Sequence, residues 1–210
     1  MFPGKGVLMK AIYGKKIGMT RIFDKAGAAV AVTLVEVKDN VVTDLKNQEK
    51  HGYKAVQIGA FSKKRLNKPE AGRFDKLNIK PNKVFEVISD KEYQIGDKIT
   101  LEQFHEGENI NVTGISKGKG FSGTVKRHGF HTGPKTHGSN NYRQPGSIGS
   151  TDAQRVFKGK RMAGHQGAVK ITVKKLPIVK IDLEKKIMIL SGAVPGANNS
   201  PVMMWSENEA

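Results

Sequence analysis

The sequence predicts a mainly β protein (α+β, with at most short helices) built as a β-barrel domain that carries a long, basic, glycine-rich extension. Two observations predict it. Short runs rich in β-branched residues recur along both flanks of the chain, separated by turn chemistry, which is the signature of strands. Between the flanks, Gly114 to Lys175 carries 13 Lys/Arg against a single acid, Asp152, a net charge of +12; the other 148 residues carry 23 against 18, a net +5. That stretch also holds 12 of the 24 glycines and four of the six histidines. A solvated helical face mixes signs and avoids glycine, so this segment is not simply a charged surface.

The strand candidates follow in chain order: Ala28 to Val37, Asn40 to Lys46, Ala55 to Ala60, Val84 to Ile88, Ile110 to Ser116, Val169 to Leu176, Ile178 to Asp182 and Lys186 to Leu190. Asp24 to Gly27 and Asp39-Asn40 supply turn residues at hairpin positions, and Asp182 to Ile187 reads as a further hairpin connection. One weak helix is expected near Pro69, where proline suits a first helical position. The acidic groups Glu102, Glu106 and Glu108, and the tail residues Glu207 and Glu209, are expected in loops and at a chain end. No repeat of fixed period is present. Many short strands need their edges managed, and closing them into a barrel does so.

Composition bounds the function. At 210 residues the chain is long enough to bury a core. Its mean hydropathy of −0.45 and lack of any apolar run near the roughly 20 residues of a spanning helix argue against an integral membrane protein, and no membrane partner is expected. The absence of cysteine excludes disulfides, thiolate–zinc sites and cysteine nucleophiles. Met1 to Lys10 lack a signal peptide's apolar core, which predicts a protein that is not secreted. A formal charge of +17 calls for a polyanionic partner, nucleic acid first.

Lys126 to Arg155 contains one aliphatic residue besides alanine, Ile148, together with Phe130 and Tyr142. Ordering these 30 residues costs on the order of 30–60 kcal/mol of backbone entropy, which their own apolar burial cannot offset. The segment is therefore expected to be disordered alone and to fold along a polyanion.

The motifs divide cleanly. Gly118 to Gly123 matches G-x-G-x-x-G, but a poor helix former follows and no acid stands about 20 residues on, against a dinucleotide site. Glycines among lysines do let backbone N–H groups and ammonium ions lie close to phosphates. His128, His131 and His137 lack cysteine, nearby carboxylates and helical spacing, so no metal is expected, and no other cofactor. Paired acids for catalysis are missing, against an enzyme. An architectural DNA-binding protein would share the basic charge but more often shows a helical reading element or a dimerising surface. Candidate phosphate contacts are Lys117, Lys119, Lys126, Arg127, Lys135, Arg143, Arg155, Lys158, Lys160 and Arg161, with Lys15, Lys16 and Arg21 as a further patch. His128, Phe130, His131, His137 and Tyr142 are candidates to stack on unpaired bases, and His165 belongs to the same basic set.

At this point the residues resemble a known family. Phe104, Asn111, Gly114, Ser116, Gly118-Lys119-Gly120, Gly123 and Arg127 stand at the spacings of the signature of the ribosomal large-subunit protein three family. Thr136 to Gly138, Pro145 to Gly149, Arg155 to Gly164, Gly192 to Gly196 and the opening Gly14 to Phe23 are similar as well, so the resemblance runs from about Met9 to Gly196 and is nearest to bacterial-type members. It implies a structural constituent of the large ribosomal subunit with no catalytic residues and no homo-oligomer, located in the cytoplasmic or an organellar ribosome. It implies a translation-protein-type β-barrel domain over 1–116 and 168–210, with a small insertion around 62–95, and an rRNA-threading arm over 117–167. It further implies primary binding near the 3′ end of the large-subunit rRNA, nucleation of subunit assembly and an arm tip near the peptidyl-transferase centre. The implied protein neighbours are the fourteenth and nineteenth large-subunit proteins. Met1 to Leu8 precede the family's usual start and receive no role. Some bacterial relatives carry a methylated glutamine after the Pro-Gly-Ser-Ile-Gly block; here Ser150 to Gln154 is one residue shorter, with Asp152 near the expected position.

Two outcomes are expected from the sequence. Limited proteolysis of the free protein cuts first between Gly129 and Gly149, and strong protection there would contradict a segment that is disordered alone. Intact-mass measurement of native protein finds Gln154 unmethylated.

Overall fold

The computed structural model describes residues 9–207 except 25, 39, 75, 76, 78 and 89–91. Met1 to Leu8, Asp39 and Glu209 therefore lie outside the described residues. The chain is mainly β with few, short helices. It divides into two units: Ser116–Val169, and the described residues before and after it.

In the larger unit, six strands form a closed antiparallel barrel: β1 (Met9–Phe23), β2 (Ala29–Glu36), β7 (Asn109–Ile115), β10 (Lys170–Asp182), β11 (Ile187–Ser191) and β12 (Pro201–Glu207). Their order around the ring is β1-β12-β7-β10-β11-β2. β1 closes it. Met9 to Lys15 pair with β12, then Lys15 to Phe23 pair with β2, and Lys15 stands opposite both Pro201 and Glu36. Ile12, Val35, Ile110, Val112, Met188, Leu190, Val202 and Met204 are fully buried. Gly14 is required in this packing, because an added Cβ would overlap the Val35 side chain.

The remaining strands of this unit, β3 (Asn40–Lys46), β4 (Ala55–Ser62), β5 (Pro81–Val87) and β6 (Lys98–Ile99), make a second sheet in the order β5-β4-β3-β6. It spans more of the chain than an insertion around 62–95, since β3 and most of β4 precede that range. Short helices α1 (Gln48–His51) and α2 (Lys68–Phe74) lie in its connections, α2 falling on the helix expected near Pro69. Asn40 joins the sheet to the barrel. Its buried amide accepts from the Tyr13 N–H at 3.0 Å and donates to the Tyr13 carbonyl at 2.9 Å, acting as a side-chain substitute for a strand partner of β1.

Several strand limits differ from those expected, each for a physical reason. Two expected strands merge into β10, because Pro177 falls where the strand changes neighbours: residues up to Pro177 pair with β7 and those from Ile178 with β11. A proline at such a handover removes little hydrogen bonding. Glu207, expected at a loose chain end, instead closes β12 opposite Met9. The turn after β1 is as expected: the Asp24 carboxylate accepts from the N–H groups of Ala26 and Ala28, and Gly27 adopts φ 82°. Among the described residues no helix is long and apolar enough to cross a membrane.

Replacing Asn40 by alanine leaves both Tyr13 backbone groups without this partner. At about 1–3 kcal/mol for a buried unpaired polar group, a fall in unfolding free energy of roughly 2 kcal/mol or more is expected by denaturant titration. A shift below the error of the fit would mean that water or repacking replaces the amide.

Candidate nucleic-acid interface

The Ser116–Val169 unit has no apolar core. Among its residues only Ser122 and Thr124 are buried. Its two ends run together as a ribbon: Ser116 N–H donates to the Val169 carbonyl at 2.9 Å, Lys119 N–H to Gln166 at 2.8 Å, and Gln166 N–H to Gly120 at 2.9 Å. β8 (Phe121–Ser122) and β9 (Gly164–His165) continue the pairing. Gly167, at φ 78°, lies so close to the Lys117 carbonyl that a Cβ would overlap it, which fixes the small residue in the ribbon.

Beyond the ribbon stands α3 (Thr124–His128), capped by Gly129 at φ 71° with its N–H on the Val125 carbonyl. The residues after Gly123 are poor helix formers, and a helix of only five residues is what they make. One turn cannot present a dinucleotide-type helix N-terminus to a pyrophosphate, so the G-x-G-x-x-G spacing serves the ribbon instead. From Gly129 to Ala163 no helix or strand forms, although local contacts such as Gly133 N–H to the Tyr142 carbonyl at 2.9 Å persist.

Within this unit, Lys117, Lys119, Lys126, Arg127, Lys135, Arg143, Arg155, Lys158, Lys160 and Arg161 are all exposed to solvent. No ion pair among the described residues involves any of them, and Asp152 is the unit's only carboxylate. Cations held on a coreless surface with no counter-charge have strong mutual repulsion, which an external polyanion relieves. His131, His137, His165 and Tyr142 are exposed, while His128 and Phe130 are half-buried with ring centroids 6.0 Å apart.

The structure adds contacts that linear reading does not reach. Arg127 Nη1 donates to the Met162 carbonyl at 2.8 Å, and the His128 ring nitrogen lies 3.0 Å from the same oxygen. These two residues therefore brace the base of the segment as well as bearing charge. The Arg155 guanidinium sits 5.2 Å from the Phe157 ring centroid, a cation–π arrangement that exposes both groups together. No sequence signal marks Met162 as the acceptor, because a backbone carbonyl carries no residue signature.

The three basic residues of the other unit differ from one another. Arg21 is exposed and lies 6.0 Å from the Phe23 ring centroid, and Lys15 is half-buried. Lys16 is buried, at 6% exposure, and its ammonium donates to the carbonyls of Val194 at 2.7 Å and Gly196 at 3.3 Å. That ammonium ties down the loop between β11 and β12. A period of two starting from the buried Ile12 and Gly14 places Lys16 on the inward face, a signal its charge obscures. No group of three or more metal-ligating side chains converges among the described residues.

Comparison with known proteins identifies the family. Residues 83–191 match the family described as Ribosomal protein L3. The chain is 46% identical over 194 residues to the large ribosomal subunit protein uL3 of Alkaliphilus metalliredigens, covering 90% of this chain and 92% of that one. It is 43% identical over 204 residues to uL3 of Oceanobacillus iheyensis, covering 95% and 98%. It is also 43% identical over 208 residues to uL3 of Lactobacillus acidophilus, covering 97% and 98%. With a family match across more than half of the sequence and relatives of this identity along nearly all of it, the chain belongs to the ribosomal protein L3 family.

Proposed function

We propose that the protein is a structural constituent of the large subunit of the cytoplasmic ribosome, held there by its rRNA and by other ribosomal proteins. Members of this family are structural ribosomal proteins, not enzymes. The observation that carries the reading is the Ser116–Val169 unit: ten solvent-reaching cations, one carboxylate and no apolar core. Such a segment gains order from what it binds, and folded RNA offers dense phosphate together with unpaired bases.

In finer detail, residues 117–167 are an arm that threads into the large-subunit rRNA and extends toward the peptidyl-transferase centre. Residues 1–116 and 168–210 are its anchor, a barrel of the translation-protein type that binds near the 3′ end of the RNA and nucleates subunit assembly. The arm's lysines and arginines neutralise phosphates, with Arg127, Arg143, Arg155 and Arg161 also able to present a planar fork to phosphates and base edges. His128, Phe130, His131, His137 and Tyr142 stack on splayed bases, and His165 lies within the same surface. Lys15 and Arg21 extend the contact onto the barrel. Lys16 contributes by fixing the neighbouring loop. The fourteenth and nineteenth large-subunit proteins are the proposed neighbours.

Filter binding of the full chain to a transcript of the large-subunit rRNA tests this. If six to ten phosphates are neutralised, raising salt from about 50 to 200 mM lowers affinity roughly a thousandfold or more; a shallow slope would contradict it. Deleting residues 126–155 leaves the barrel cooperatively folded by circular dichroism and weakens incorporation into subunits. Unfolding of that variant would make the arm part of the core.

A further inference from the structure

A cavity of about 420 Å³ opens in the larger unit, outside the basic arm, lined in part by Lys15, Glu36, Lys38, Phe61, Asn82 and Asn199. Resting on the rRNA-binding reading above, we propose that this cavity receives a single unstacked nucleotide of the rRNA. Its phosphate lies at Lys15, its base lies against Phe61, and the amides of Asn82 and Asn199 reach the base edge.

Charge supports the phosphate position. Lys15 stands directly across the ladder from Glu36, the natural cross-strand partner, yet the Glu36 carboxylate pairs with Lys38 instead. The half-buried Lys15 ammonium makes no ion pair among the described residues. With Lys38 and Glu36 balancing each other, the cavity keeps one net positive charge, which suits a phosphodiester.

Shape supports the base. The volume falls in the usual range for small-ligand sites, larger than a bare phosphate needs. Phe61 walls it, near the end of β4, with its ring centroid 6.0 Å from that of Tyr13. The ladder register, Ala60 to Lys83 and Ser62 to Pro81, sets Asn82 opposite Phe61. Asn199 arrives from the loop between β11 and β12, its N–H held by the Lys16 carbonyl at 2.7 Å. Thus an aromatic face, two amides with donors and acceptors, and a cation converge, the elements with which proteins hold unpaired bases.

Backbone conformation gives a second, independent indication. Phe61 at φ 58° and Asn199 at φ 66° both occupy the left-handed region, which is costly for a bulky side chain such as phenylalanine. Asparagine takes that region readily, so the strain sits on Phe61, and a strained residue lining a cavity is the pattern seen at binding sites.

The test uses the full chain, the large-subunit rRNA transcript and nucleotide-resolution footprinting. Phe61→Leu retains an apolar side chain beside Tyr13, so its thermal midpoint stays near wild type. Its affinity for the RNA falls about five- to a hundredfold, the usual loss when one base stack is removed. Protection disappears at one or two nucleotides and persists elsewhere. Phe61→Trp restores affinity and footprint, and Lys15→Gln lowers the salt slope by about one. Wild-type affinity and footprint in both Phe61→Leu and Lys15→Gln would overturn the proposal while leaving rRNA binding intact. So would a photo-crosslinking residue at position 61 that captures a ribosomal protein in assembled subunits, which would assign the cavity to protein. Saturable binding of free AMP, GMP, CMP or UMP by wild type, abolished in Phe61→Leu with no change in the RNA footprint, would assign it to free nucleotides. Failure of the wild-type chain to bind the transcript at all would instead remove the rRNA reading itself, and the proposal with it.

Discussion

The fold depends on one strand that pairs twice. β1 gives its first half to β12 and its second to β2, and the change of partner at Lys15 is what turns an open sheet into a ring. Closure gives every barrel strand two neighbours, and where β1 pairs with β12 alone the Asn40 side chain serves the Tyr13 backbone instead. The irregularity between Lys16 and Gly18 lets β1 bend at that corner, where the Lys16 ammonium also gathers the Val194 and Gly196 carbonyls. Burying a lysine is costly unless its charge is met by good acceptors, and those two oxygens meet it.

Because the ring supplies its own cohesion, Ser116–Val169 is released from any duty to build a core. Ile115 and Lys170, the residues just before and after it, are paired across β7 and β10, so the barrel fixes where that excursion leaves and returns. Inside the excursion, sequence is then free to be selected for charge and backbone freedom. Six of its glycines (120, 129, 138, 146, 159 and 167) take positive φ, which side chains rarely allow. The division of labour is physical: apolar burial holds one unit, and the other is left to electrostatics.

Much of this is legible in the residues. β2, β3 and β4 announce themselves through β-branched alternation, and the charge of the excursion is visible because its basic residues are contiguous in sequence. β1 is harder to read. Gly14, Lys15, Lys16 and Gly18 interrupt its pattern, since the strand is shaped by a tight approach to Val35 and by a change of partners rather than by propensity. β12 escapes the strand reading because Met203 and Met204 carry little strand preference although both are buried. The bridging role of Asn40 and the convergence of Arg127 and His128 on Met162 depend on backbone groups far away in sequence, and no local pattern encodes them. Lys15 and Lys16 are neighbours of identical type with opposite fates, because adjacent residues in a strand face opposite sides.

The pairing of β1 with β12 also sets an order of events during synthesis. Met9 waits for Glu207, nearly two hundred residues later, before the ladder between them can form. Contacts of such sequence separation are slow to form and are made late. Until β12 leaves the ribosome that is making it, β1 and β7 each lack a neighbour, while the basic excursion between β7 and β10 is already outside. A nascent chain is therefore cationic before it owns a finished barrel, with two sheet edges exposed to aggregation. Early capture of the excursion by a polyanion would hold the chain soluble while its last strand arrives, so that binding and folding would overlap in time.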